Sequence, residues 1–95
     1  MKKIVLNNND YKVIKDDKNC FNYEEVSEKF TDYFDDFDYI LGDYSYEKLR
    51  MKGFCKKNNK NLKEFNDYKN VDVYLEKFCS YGCRYFILEK NNKND

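Results

Sequence analysis

The sequence predicts an α+β domain: a mainly antiparallel sheet of about five strands with two amphipathic helices packed on it. Three observations predict it. Apolar residues recur at helical spacing in two stretches, near 23–35 and 71–79. Short β-prone runs surround them, at 4–6, 11–15, 39–41, 48–54 and 84–89. The length of 95 residues suits one domain spanning 1–95, with no apolar run near the ~18 residues of a membrane span. A chain this short buries only about 60–65 % of its unfolded surface, so its stability margin is expected to be thin.

The elements follow in order. The runs at 4–6 and 11–15 flank NNND, a hairpin with a four-residue loop, and 16–19 is a polar turn. Asn22 is a good N-cap, Glu25 completes a capping box, and Phe21 with Val26 form a hydrophobic staple. Behind them Tyr23, Val26, Phe30, Tyr33, Phe34 and Phe37 share one face, which predicts a helix over 23–35. Residues 39–41 read as a buried strand, 48–54 alternates as a second, and DYSYE (43–47) connects them. In 48–54, Leu49 and Met51 point one way and Lys48, Arg50 and Lys52 the other. Residues 56–70, rich in Lys and Asn, read as a long mobile loop anchored by Leu62 and Phe65. Val71, Tyr74, Leu75, Phe78 and Cys79 define the second helix, capped by Asn70, with Gly82 as its left-handed C′ residue. Residues 84–89 are apolar on both sides, as in a central strand, and 91–95 form a frayed polar tail.

Composition narrows the function classes. Ten Tyr and eight Phe supply much of the apolar content, with no Ala, Trp, Pro, His or Gln and 16 Lys against 2 Arg. Such a bias fits an A/T-rich genome, and large rings can replace small apolar residues in a core. The net charge of zero argues against a generic nucleic-acid binder. Residues 24–47 nevertheless hold nine acids and one lysine, and 48–63 hold seven bases and no acid. The start, MKKIVLNNND, is too short in apolar residues for a signal peptide, so a cytoplasmic setting with reduced thiols is expected.

The stretch DYILGDYSYEKLRMKGF, followed by VDVYLEKFCSYGCRYFILEK, resembles the YutD-like family of small proteins from low-GC Gram-positive bacteria and their relatives. The start NCFNYEEVSEKF fits as well, so the resemblance covers nearly the whole chain. Asp38, Tyr39, Ile40, Gly42, Asp43, Tyr46, Leu49, Arg50, Lys52, Gly53 and Phe54 match its first block. Tyr74, Leu75, Cys79, Gly82, Cys83, Tyr85, Phe86 and Leu88 match its second. This chain has Tyr44-Ser45 where the family has Trp-Gly, and Cys20 and Cys55 fall outside the pattern. The resemblance implies the fold and the bacterial, cytosolic setting, and carries no reaction with it.

Four candidate features remain. Cys79 and Cys83 lack the second ligand pair of a zinc site and the two-residue spacing of a redox motif. They are expected to be small core residues where helix meets sheet, with no metal and no cofactor. Asp43, Tyr44, Tyr46 and Arg50, with Lys52 beside them, form a candidate binding patch at the hairpin, since Tyr and Arg are frequent interface anchors. Arg50 in a lysine-rich chain suggests a need for its planar fork, and Asp43 is its expected partner. Lys48, Arg50, Lys52, Lys56 and Lys57, continued by Lys60 and Lys63, could instead meet phosphates. No nucleophile–base pair and no phosphate loop appear, and Gly42, Gly53 and Gly82 read as turn residues at element ends. The expected function is a small protein-binding or adaptor module, ahead of an RNA- or ribosome-associated factor, with an enzyme third.

Overall fold

The computed structural model describes residues 2–79 and 82–91. Strands β1 (Lys2–Leu6), β2 (Asn9–Asp16), β3 (Tyr39–Ser45), β4 (Lys48–Phe54) and β5 (Arg84–Lys90) build one sheet in the order β1-β2-β5-β3-β4. All of its pairings are antiparallel. Helices α1 (Tyr23–Lys29) and α2 (Val71–Phe78) complete the expected α+β architecture. β5 lies at the centre, between β2 and β3, which is why its side chains are apolar on both faces.

The helices cover opposite faces. Ile4, Leu6, Tyr11, Val13, Ile40, Leu49, Phe86 and Leu88 form the larger core with Val26 of α1 and with Phe34 and Phe37. Leu41, Phe54 and Ile87 form the smaller one with Val71 of α2. The second face is therefore covered by only one short helix and the segment before it.

Both hairpins turn more tightly than expected. Leu6 pairs with Asn9 and Ser45 with Lys48, leaving two-residue turns at Asn7-Asn8 and Tyr46-Glu47. All four turn residues have positive φ, between 51° and 67°, the backbone that a right-twisted hairpin demands. Asn tolerates this readily, whereas Tyr46 and Glu47 adopt it without the help of a glycine.

Asn22 caps α1 as expected, its Oδ1 accepting from the Glu25 N–H at 3.0 Å. The helix nevertheless stops at Lys29, short of the expected residue 35, because Phe30 and Thr31 are extended and 32–36 form a 3-10 turn. The break brings the Phe30 ring onto Tyr11 (5.7 Å) and Phe34 (5.3 Å). It also aims the carboxylates of Asp32 and Asp35 at the side chains of Asn7 and Asn9. Aromatic and β-branched residues have little helix propensity to oppose this.

Residues 56–70 are not a free loop. Asn66, 4 % exposed, accepts from the Lys63 N–H and donates to the Asn61 carbonyl. Its own carbonyl accepts from Cys55 N–H, and Tyr68 N–H donates back to the Cys55 carbonyl. Asp38, also buried, accepts from Lys56 N–H and from the Asn59 side chain. The Tyr68 ring stacks on Tyr39 at 3.6 Å. The abundance of Asn thus supplies hydrogen bonds that replace regular structure.

Gly42 and Gly53 lie inside β3 and β4 rather than at turns, and both backbones make room for a ring. A Cβ at Gly42 would overlap Phe86, and one at Gly53 would overlap Phe37. Gly82 does have the expected left-handed backbone, with φ 82°. It stands four residues beyond α2, not at the C′ position. At the C-terminus Asn91 N–H donates to the Asp10 carbonyl, and residues 92–95 of the expected tail lie outside the described residues.

Candidate functional site

Strand alternation separates the hairpin candidates. Asp43 pairs with Arg50 across β3 and β4, and both point to the α2 face. Arg50 Nη2 lies 2.8 Å and Nε 2.9 Å from Asp43 Oδ1, with the carboxylate side chain 3 % exposed. A further Nη2–H donates to the Phe78 carbonyl at 2.9 Å, at the end of α2. The planar fork therefore ties hairpin to helix, a geometry lysine could not supply.

Tyr44 points to the opposite face. Its hydroxyl donates to Glu25 Oε1 of α1, and Arg84 lies over its ring at 5.1 Å. Burial, then that hydrogen bond, pushes the Tyr44 hydroxyl well above the usual phenol range. Glu25 thus spends its carboxylate on Tyr44. Tyr46, at the tip, is 97 % exposed. The five hairpin residues are accordingly distributed over two faces and a tip.

Lys52 has the most unusual surroundings of the five. Its ammonium sits 5.3 Å from the Phe54 ring, 5.3 Å from Phe65 and 5.6 Å from Tyr74. Among the described residues no carboxylate oxygen lies within 4.0 Å of it. Burial lowers its pKa, because desolvation disfavours the charged form. Around it β4, residues 64–65 and α2 enclose an open groove of about 630 Å³ lined by Phe54, Phe65, Val73, Tyr74 and Phe78, with Glu64 and Lys77 as its other charges. Three of the apolar residues are largely uncovered: Phe65 at 71 %, Phe78 at 53 % and Val73 at 50 %. The sequence placed Phe78 on the buried stripe of α2, but only Val71 is fully buried there. Phe65 was the available signal, a large ring in a segment dominated by Lys and Asn.

The basic strip is partly consumed by the fold. Lys48, Arg50 and Lys52 do share one strand face, as alternation requires. Arg50 is neutralised by Asp43, Lys52 lies among rings, and Lys56 sits 6.0 Å from the Tyr39 ring centre. Lys48 and Lys57 are exposed.

The two late cysteines are a correction. Cys79 and Cys83 are not reduced thiols in a core: they are half-buried and joined by a disulfide, with Cα atoms 5.6 Å apart. Residue 79 leaves α2 in extended backbone, and Gly82 takes positive φ. Cys20 and Cys55 are the buried free thiols. Burial and Asp16 push the Cys20 thiol up to about 11. No helix is long and apolar enough to cross a membrane among the described residues. No group of three or more His, Cys, Asp or Glu that could hold a metal ion occurs among them either.

Fold and groove define a small α+β protein with one well-covered sheet face and one face left partly apolar and open. The chain belongs to the YutD-like family: the family profile described as "Putative antitoxin YutD-like" matches residues 5–89. It is 31 % identical over 90 residues to "Putative antitoxin YutD" of Bacillus subtilis (strain 168), covering 95 % of this chain and 99 % of that protein. The solution NMR structure of yutD from B. subtilis superposes with a TM-score of 0.81 at 30 % identity, covering 98 % of this chain and 84 % of that one.

Proposed function

We propose that this protein is a protein-binding module of the antitoxin kind, which holds a toxin protein through the surface running along β4 and α2. The observation that carries the reading is the set of uncovered apolar side chains of the groove, Phe65, Val73 and Phe78, with Tyr46 exposed at the tip of the β3–β4 hairpin. Uncovered apolar side chains gathered around one groove of a small protein commonly mark an interaction site. The antitoxin designation of its relatives supports a protein as the partner. Nucleic-acid binding through Lys48, Arg50, Lys52, Lys56 and Lys57 is less well supported, because Arg50, in the middle of that strip, is held by Asp43 within the fold.

Affinity capture from the native cells tests this, comparing wild type with Tyr46→Ala and Phe65→Ser. Both residues are exposed, so the variants should fold. The expected result is one enriched protein, lost with the variants, whose expression alone arrests growth and whose co-expression with this chain does not. Enrichment of ribosomal RNA in place of a protein would overturn the reading.

A further inference from the structure

We propose that the groove between β4 and α2 is a docking site for an acidic–aromatic segment of the partner protein, with a Glu or Asp carboxylate meeting Lys52. Apolar neighbours of that carboxylate would cover Phe65, Val73 and Phe78. The inference rests on the protein-binding reading above and names the chemistry of the same site.

Charge complementarity selects the occupant. The Lys52 ammonium sits among three rings, at 5.3–5.6 Å from their centres. Ring quadrupoles attract a cation but do not neutralise it. No carboxylate among the described residues does so either, although the two ion pairs found, Arg50–Asp43 and Lys69–Asp67, show that acids are close at hand elsewhere. Partial burial already weakens the hold of the ammonium on its proton. An incoming carboxylate in this apolar setting therefore gains more than it would from a lysine in water.

The rest of the lining agrees. Lys77 adds a second cation and Glu64 one anion, so the groove has a net positive charge. Its floor and rim are rings and a valine, which suit aromatic or aliphatic side chains on either side of the acid. An RNA strand would want a track of free cations, and Arg50, the next cation along β4, is already bound to Asp43. A second copy of the chain could offer its own acidic stretch at 24–47, and that is an outcome of the test.

The probes are three short fluorescent peptides that share Phe and Leu positions and differ only in having Glu, Gln or Lys at the polar ones. The Glu peptide should bind about tenfold or more tightly than the Gln peptide, and the Lys peptide most weakly. Lys52→Met keeps the stem on the rings, so it should erase the Glu preference and leave the Glu and Gln peptides bound equally, with circular dichroism checking that the variant is folded. Phe65→Ser should weaken all three. Equal binding of Glu and Gln peptides, no binding at all, or a preference unmoved in K52M would overturn the proposal. So would sedimentation equilibrium showing self-association that K52M removes, or displacement of the Glu peptide by single-stranded RNA. If capture enriches a partner that K52M retains, the groove chemistry falls and the protein-binding reading stands. If the peptides behave as expected and capture enriches nothing, the groove stands and the toxin-binding reading falls.

Discussion

Replacing Arg50 with alanine removes one side chain and strands another. The guanidinium makes two contacts to a single Asp43 oxygen and one to the Phe78 carbonyl. Without it the Asp43 carboxylate loses its ion-pair partner in a site that leaves its side chain 3 % exposed. Breaking a buried pair costs roughly 3–5 kcal/mol. Arg50 itself is 43 % exposed, so water screens part of the interaction and the lower end applies, about 3 kcal/mol. For a domain of this size each kcal/mol lowers Tm by about 4–8 °C, so R50A should melt roughly 12–24 °C below wild type. Circular dichroism melts measure it. The double variant Asp43→Leu/Arg50→Leu removes both charges together and should recover much of the loss. An R50A protein that melts within about 2 °C of wild type would refute the structural role, and Arg50 would return as a contact residue.

Four further outcomes are expected. Gly42→Ala should cost about 3 kcal/mol in urea unfolding, since the new methyl meets the Phe86 ring in a packed core. Tyr11→Phe should raise the unfolding free energy by about 1 kcal/mol, read as a higher urea midpoint, because the buried Tyr11 hydroxyl finds no hydrogen-bond partner among the described residues. Reducing the Cys79–Cys83 disulfide, which closes a short loop, should lower stability by about 2 kcal/mol, and identical melts with and without reductant would contradict the pairing. Burial and Glu89 push the Tyr39 hydroxyl up to about 12, and burial raises Tyr68 and Tyr74 as well. Above the ordinary phenol value of about 10 the unfolded chain releases protons that the folded one keeps. Stability should therefore be intact below pH ~10 and fall as pH climbs through the folded values, read as native tyrosines ionising only along with unfolding.

The sheet was legible because its strands carry strong local patterns. Apolar residues on both sides of 84–89 place β5 in the centre, and alternation in 48–54 assigns Leu49 and Arg50 to opposite faces. Asn22 announces the start of α1 by a hydrogen bond within its own turn. The end of α1 was not legible, because it depends on Phe30 reaching Tyr11, a residue nineteen positions earlier. Asn66 and Asp38 were missed for the same reason: their polar side chains hold residues 56–70 through tertiary hydrogen bonds. The groove has no local signature either. It requires Lys52, Phe65 and Tyr74, from three elements, to meet. The cysteines were misread because helical periodicity extends the apolar stripe to Cys79, whereas the helix ends one residue earlier.

Amide hydrogen exchange of the chain, alone and in complex with the protein it captures, tests the location of the binding surface most directly. The account predicts new protection at the Tyr46-Glu47 turn, along β4 and in α2, with α1 and the β1–β2 hairpin unchanged. Protection concentrated on α1 or on β1 and β2 would contradict it.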